Sequence, residues 1–212
     1  MSGAASPGSA GAGPAGPGAE RPVLTLATAN AGKVTELVAL LGDRYDIRPR
    51  PADLADTVED RDTLEGNAAK KAREVLARCG TLAVADDSGL FVAALGGHPG
   101  VHTARYAGPD ATHDQNIDKL LAALAPYPDP VDRGAEFRTV IVAAWPDGRE
   151  IVVEGRVPGR ITDGRRGGDG FGYDPVFAPD EGDGRTFAQM TLAEKNRISH
   201  RARAIEALLA AL

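Results

Sequence analysis

The chain has 212 residues, with 24 Lys plus Arg against 30 Asp plus Glu and a formal net charge of −6. An acidic chain lacks the basic surface that duplex phosphates require, which argues against nucleic acid as a partner but leaves room for a small phosphorylated ligand held by a few local cations. One cysteine, Cys79, excludes an internal disulfide and a multi-cysteine zinc site. No apolar run approaches the ~20 residues of a membrane span, so no membrane partner is expected.

Residues 1–21 read as a separate segment, because 18 of the first 20 are Gly, Ala, Pro or Ser. Such a stretch has little to bury and cannot offset its own ordering entropy. It lacks the basic start and apolar centre of a signal peptide, so the expectation is a disordered tail on a cytoplasmic protein, followed by one domain over residues 22–212.

Residues 23–28 form an apolar strand signal, and Val34, Leu37, Val38 and Leu41 then repeat at helical spacing up to Gly42. A second helix is predicted from Thr63 to Arg78, closing at Gly80. Residues 82–85 read as an apolar strand that stops at Asp86-Asp87-Ser88-Gly89. A third helix spans residues 114–124. Strands over 137–145 and 150–154 flank Pro146-Asp147-Gly148, a hairpin signal. A glycine-dense loop occupies 164–172. One C-terminal helix opens at Thr191 and Glu194, spaced as a capping box, with an apolar stripe of Ile198, Ala202, Ile205, Leu208 and Leu212. Alternating helices and strands with a late hairpin predict an α/β fold around a central mixed sheet.

Four stretches could carry chemistry. Thr28-Ala29-Asn30-Ala31-Gly32-Lys33 sits at a strand-to-helix junction, where free N–H groups and a lysine suit phosphate; it is not a Walker A loop, and a plain loop with a solvated lysine has the same spacing. Asp86 and Asp87 at the end of an apolar strand would repel each other unless a divalent cation bound them, or unless they formed a solvated turn. Acids at Glu59, Asp60, Asp62 and Glu65 are candidates for a second ligand. Gly167 to Pro175 combines glycines, which bring backbone close to a ligand, with Phe171 and Tyr173, whose faces could stack on a base or tuck into the core. Lys195, Ser199, His200 and Arg201 could hold phosphate or a base edge, yet Lys195 and His200 lie ~140° apart on a regular helix and meet one ligand only if it is large or the helix bends. The pair His113-Asp114 lacks the further histidines of a metal phosphohydrolase.

Taken together, T-x-N-x-x-K, D-D-S-G followed by L-G-G-x-P-G-x-x-x-A-R-Y, G-G-x-G-F-G-Y-D-P and E-K-x-x-I-S-H-R resemble the inosine triphosphate pyrophosphatase family over residues 23–212. The resemblance implies a mixed sheet with two lobes around a nucleotide cleft, a homodimer, and Mg²⁺-dependent hydrolysis of purine nucleoside triphosphates such as ITP, dITP and XTP to monophosphate and pyrophosphate. It implies that Asp87 is general base and metal ligand, with Glu59 near the second acidic metal position. Thr28, Ala29, Asn30, Ala31, Gly32 and Lys33 match the phosphate loop, and Asn67 and Lys71 match polar positions on one helix face. Ser88 matches a substrate contact. Phe171, Gly172, Tyr173 and Asp174 match the base loop, and Lys195, His200 and Arg201 match the remaining contacts. Gly66 stands where many relatives carry Glu. Competing readings are a septum-inhibitor-type (Maf-like) nucleotide pyrophosphatase of other specificity and a non-catalytic nucleotide-binding regulator.

Overall fold

The structure is a computed structural model, and it describes residues 21–212; the expected tail, apart from Arg21, lies outside the described residues. A mixed sheet forms the centre. β1 (Val23–Leu26) leads through a short loop into α1 (Ala31–Leu41), which Asn30 caps by accepting a hydrogen bond from Lys33 N and which ends at Gly42. β2 (Asp46–Arg48) is a three-residue edge strand. It is too short to show periodicity, and the sequence reading missed it. α2 (Leu64–Cys79) is capped by Thr63 and closed by Gly80, whose φ of 66° is the left-handed conformation that glycine adopts without strain.

β3 (Leu82–Val92) is the backbone of the site, and here the expectation is corrected: the strand does not stop before Asp86 but runs on for 11 residues through it. β4 (Pro99–Gly100) pairs with its far end. After α3 (His113–Ala123), β5 (Gly134–Ala144) and β6 (Glu150–Ile161) form a long hairpin across the predicted Asp-Gly turn. β7 (Phe177–Pro179) adds the far edge. The predicted single C-terminal helix is two: α4 (Leu192–Ile198) and α5 (His200–Ala211), separated at Ser199, whose backbone is extended at φ −70° and ψ 154°. Ser199 accepts from Ala202 N and so starts a new helix rather than continuing the old one.

The sheet order is β2-β1-β3-β5-β6-β7. β2, β1 and β3 run parallel, and every other pairing is antiparallel. α2 covers one face with an alanine-rich layer against Ala83, Ala85, Val140 and Val142. On the other face the apolar packing divides. One cluster joins Leu24, Leu26, Leu37, Val84 and Ile141 to Ile205 and Leu208 of α5. A second joins Leu90, Phe137, Val157, Phe177 and Phe187. Between them Ser88 stands opposite Thr139, whose neighbour on β6 is Gly155.

Candidate active site

β1 ends at Leu26 while β3 continues, and β4 does not join that edge until Leu90, so the edge of β3 over residues 85–89 is left open where the chain turns into α1. A cleft of about 370 Å³ occupies that gap, lined by Thr28, Ala29, Asn30, Lys33, Glu59, Lys71, Asp87, Ser88, Phe171, Gly172 and Tyr173 among the predicted residues. This is the crevice beyond strand ends where open α/β sheets hold ligands. A second cavity of about 480 Å³ adjoins it and is lined by Gly32, Glu36, Phe171, Phe187 and Lys195. Phe171 borders both.

Side chains alternate along a strand, so Asp86 and Asp87 point to opposite faces of the sheet. The repulsion inferred from their adjacency is therefore relieved by geometry, and each carboxylate has its own cations. Asp86 faces α5, where its Oδ2 accepts from Arg201 Nε at 3.1 Å and Nη2 at 3.0 Å, with Lys33 Nζ at 3.1 Å. Burial pushes Asp86 up, but Lys33 and Arg201 outweigh it and hold the carboxyl far below the ordinary aspartate value. Asp87 faces α2. Its Oδ1 accepts from Lys71 Nζ at 2.8 Å and its Oδ2 from Asn67 Nδ2 at 3.3 Å. Here burial wins over Lys71 and Lys33, and the nearby Glu59 charge adds to it, so the carboxyl sits above its ordinary value.

Behind the cleft wall lies a chain of alternating charges. Lys33 meets Asp86, Asp86 meets Arg201, Arg201 meets Glu36, Glu36 meets Lys195 at 2.7 Å, and Lys195 meets Asp174 at 2.6 Å. Five of these six side chains are at most 4% exposed. Glu36 is the member that sequence reading missed. Its spacing from Lys33 placed it on the turn above, but nothing in the α1 pattern marked it as buried. His200 is buried as well, stacked on Phe137 with ring centroids 4.5 Å apart, and burial followed by the charges of Arg201 and Lys195 keeps its imidazole neutral.

The break at Ser199 answers the helical-wheel objection: Lys195 ends its reach on α4, and His200 and Arg201 start α5 at a new angle. Gly155 permits this seating, because a Cβ there would lie 2.1 Å from His200 O and 2.4 Å from Ala204 N. Among the predicted residues, Asn67, Asp174, His200 and Arg201 stand behind the lining side chains rather than on the surface of either cavity, and Ala31 also lines neither.

Gly32, in the loop that suits phosphate, lines the second cavity and also makes room for protein: a Cβ there would lie 2.3 Å from Phe171 Cδ1. In the 167–172 loop Gly170 leaves room for Asp174, whose Oδ2 accepts from Phe171 N at 2.8 Å and would meet a Cβ on Gly170 at 2.3 Å, Gly167 makes room for Ala188 O, and Gly172 lines the main cleft. Tyr173 is mostly core, 3% exposed, and its hydroxyl donates to Thr103 O at 3.0 Å.

Among the described residues no group of three or more His, Cys, Asp or Glu side chains is placed to hold a metal. Two carboxylates do converge. Lys71 Nζ lies 2.8 Å from Asp87 Oδ1 and 2.5 Å from Glu59 Oε1, so one point in the cleft already serves both acids with a cation. Arg105 fixes Glu59 from behind, donating to its Oε2 and its backbone carbonyl at 2.9 Å each. One or two carboxylates, with the other positions left to water and phosphate, suit a hard divalent ion that arrives with its substrate. The pair therefore fits such an ion.

Comparison with known proteins agrees with this architecture. The chain is 44% identical over 188 residues to a dITP/XTP pyrophosphatase of Shouchella clausii, covering 87% of this chain and 93% of that protein. It superposes on the Ham1 protein of Staphylococcus aureus with a TM-score of 0.77 at 38% identity, covering 88% and 96% of the two chains. A HAM1 protein from Coxiella burnetii gives 0.78 at 39%, covering 87% and 95%. The profile of the Ham1 family matches residues 24–211, which hold the open edge of β3, both charge clusters and the Phe171 loop, and the chain belongs to that family.

Proposed function

We propose that the protein hydrolyses non-standard purine nucleoside triphosphates, namely ITP, dITP and XTP, to monophosphate and pyrophosphate, clearing deaminated purines from the nucleotide pool. The observation that carries this is the position of Asp87: a buried carboxylate with Lys71 beside it, opening into a cleft between a phosphate-type loop and an aromatic loop. The names of the similar proteins support the same reading.

In this reading Thr28 to Lys33 cradle the phosphates with the free N–H groups of the α1 N-terminus and the Lys33 ammonium. Asp87 accepts a proton from the attacking water, with Asn67 and Lys71 holding its two oxygens in place. Asp87 and Glu59 would hold Mg²⁺, which when bound supplies charge neutralisation for the triphosphate. The base stacks on Phe171 beside the second cavity, where Lys195 offers a donor to a 6-keto oxygen. An adenine amino group in that place would leave two donors facing each other, a mismatch of about 1–3 kcal/mol. Asp174, His200 and Arg201 act from behind by fixing these side chains, and Glu36, which lines the second cavity, holds Lys195 beside it. We further propose that the enzyme works as a cytoplasmic homodimer.

The test is to incubate the protein with dITP, with dGTP and with dATP, with and without Mg²⁺, and to resolve the products. Metal-dependent dIMP and pyrophosphate from dITP, with dGTP nearly untouched, is the expected result. Guanine shares the 6-keto oxygen, so equal cleavage of both would show that position 2 is not discriminated, dATP cleaved as fast as dITP would remove the 6-keto argument, and binding without cleavage would favour the regulator.

A further inference from the structure

Three cations and three carboxylates line the main cleft among the described residues: Lys33, Arg50 and Lys71 against Asp56, Glu59 and Asp87. They are not equally compensated. Lys71 sits between Asp87 and Glu59 at 2.8 and 2.5 Å. Lys33 pairs with the fully buried Asp86 at 3.1 Å. Arg50 has no such partner. It donates to the neutral carbonyl of Ala55, and its nearest carboxylate, Asp56 Oδ1, is 3.5 Å away on a side chain that is 92% exposed. A contact that open to water contributes little. The Arg50 side chain itself is only 10% exposed. The cleft therefore carries one well-shielded guanidinium whose charge is not met by a buried acid.

Its place in the sheet says which part of a ligand it would meet. β2 runs parallel to β1 with Thr25 opposite Arg48, so Arg50 follows the end of β2 as Ala27 and Thr28 follow the end of β1. β1 lies between β2 and β3, which puts Arg50 on the far side of the Thr28–Lys33 loop from Asp87. Arg50, the Thr28–Lys33 loop, Asp87 and Phe171 line one cleft, so a nucleotide with its base at Phe171 and its first phosphate at Asp87 would have Arg50 within that cleft for its remaining phosphates.

We propose that Arg50 is a further substrate-binding residue that grips the terminal phosphates, the half of the substrate that leaves as pyrophosphate. This rests on the nucleotide reading above. A guanidinium offers paired N–H donors to phosphate oxygens, and its unmet charge strengthens that contact in a shielded site.

The experiment titrates inorganic pyrophosphate and dIMP, separately and in Mg²⁺, into the wild-type protein, Arg50→Gln and Arg50→Lys. Arg50→Gln is expected to weaken pyrophosphate binding by about tenfold, the loss typical of a charge-assisted contact, while dIMP binding stays within about twofold. Arg50→Lys is expected to retain most of the pyrophosphate affinity. The KM for dITP should rise with the pyrophosphate loss. Equal weakening of both ligands would show that Arg50 only braces the loop through Ala55, and would overturn the proposal. So would unchanged pyrophosphate binding in Arg50→Gln, or a wild-type protein that binds dIMP but no pyrophosphate. Failure of the wild type to cleave dITP strikes the proposed function instead, and the pyrophosphate titration still decides the role of Arg50.

Discussion

Replacing Glu36 by Gln tests whether the buried charges act as one chain. The substitution keeps size and one carbonyl oxygen but removes a negative charge from between two cations, Lys195 at 2.7 Å and the Arg201 guanidinium. Breaking a buried pair from one side typically costs 3–5 kcal/mol, because the partner is left buried without its counter-charge. Here each cation keeps one acid, Lys195 with Asp174 at 2.6 Å and Arg201 with Asp86 at 3.0 Å, so the lower end applies, about 3 kcal/mol. Urea unfolding at pH 7 should show that loss with an unchanged denaturant slope. The pH dependence has a definite sign. Burial pushes the Glu36 carboxyl up, but Arg201 and Lys195 together hold it below its ordinary value of 4.5. A lowered carboxylate pKa contributes stability that is full above the unfolded value and fades as pH falls through the folded one. Wild type and variant should therefore begin to converge as pH falls below 4.5 and meet only below the lowered folded value. A loss at pH 7 under about 1 kcal/mol, or a gap that persists undiminished in acid, would refute the reasoning, because Gln would then reproduce what holds the site together.

Asp87→Asn can keep the Lys71 contact on its one carbonyl oxygen but turns an NH₂ toward the Asn67 Nδ2 donor and removes the proton acceptor, and turnover on dITP should fall by about 10²–10⁴-fold while nucleotide binding survives in part; near-normal turnover would remove Asp87 from the reaction. Gly155→Ala forces a methyl group to within 2.1 Å of His200 O and 2.4 Å of Ala204 N, both backbone atoms that cannot step aside. Thermal unfolding should show a loss of about 3 kcal/mol, the upper end of overpacking costs, and an unchanged Tm would mean that α5 does not rest on β6 as described.

Much of this protein was legible in one dimension. The helix start at Thr63, the capping box at Thr191, the stop at Gly80 and the hairpin around Asp147-Gly148 are local devices, decided by side chains within a few residues of the backbone groups they satisfy, and the structure carries all of them, whereas α1 begins at Ala31, earlier than its apolar repeat from Val34. Residues of the first three motifs line the main cleft and Lys195 of the fourth lines the second cavity, because glycines, cations and paired acids close to helix starts and loops have few ordinary uses together. What the sequence could not decide is which way each group faces. Asp86 and Asp87 look alike in the chain, yet strand pairing continues through them and sends one to α5 and the other to α2. Glu36 reads as a surface acid on an amphipathic helix until Arg201, 165 residues away, closes over it. The split at Ser199 depends on Gly155 clearing a place on β6 for the start of α5. Local hydrogen bonding is settled by near neighbours, but burial and charge pairing are settled by residues distant in the chain, and for these the tertiary structure alone decides.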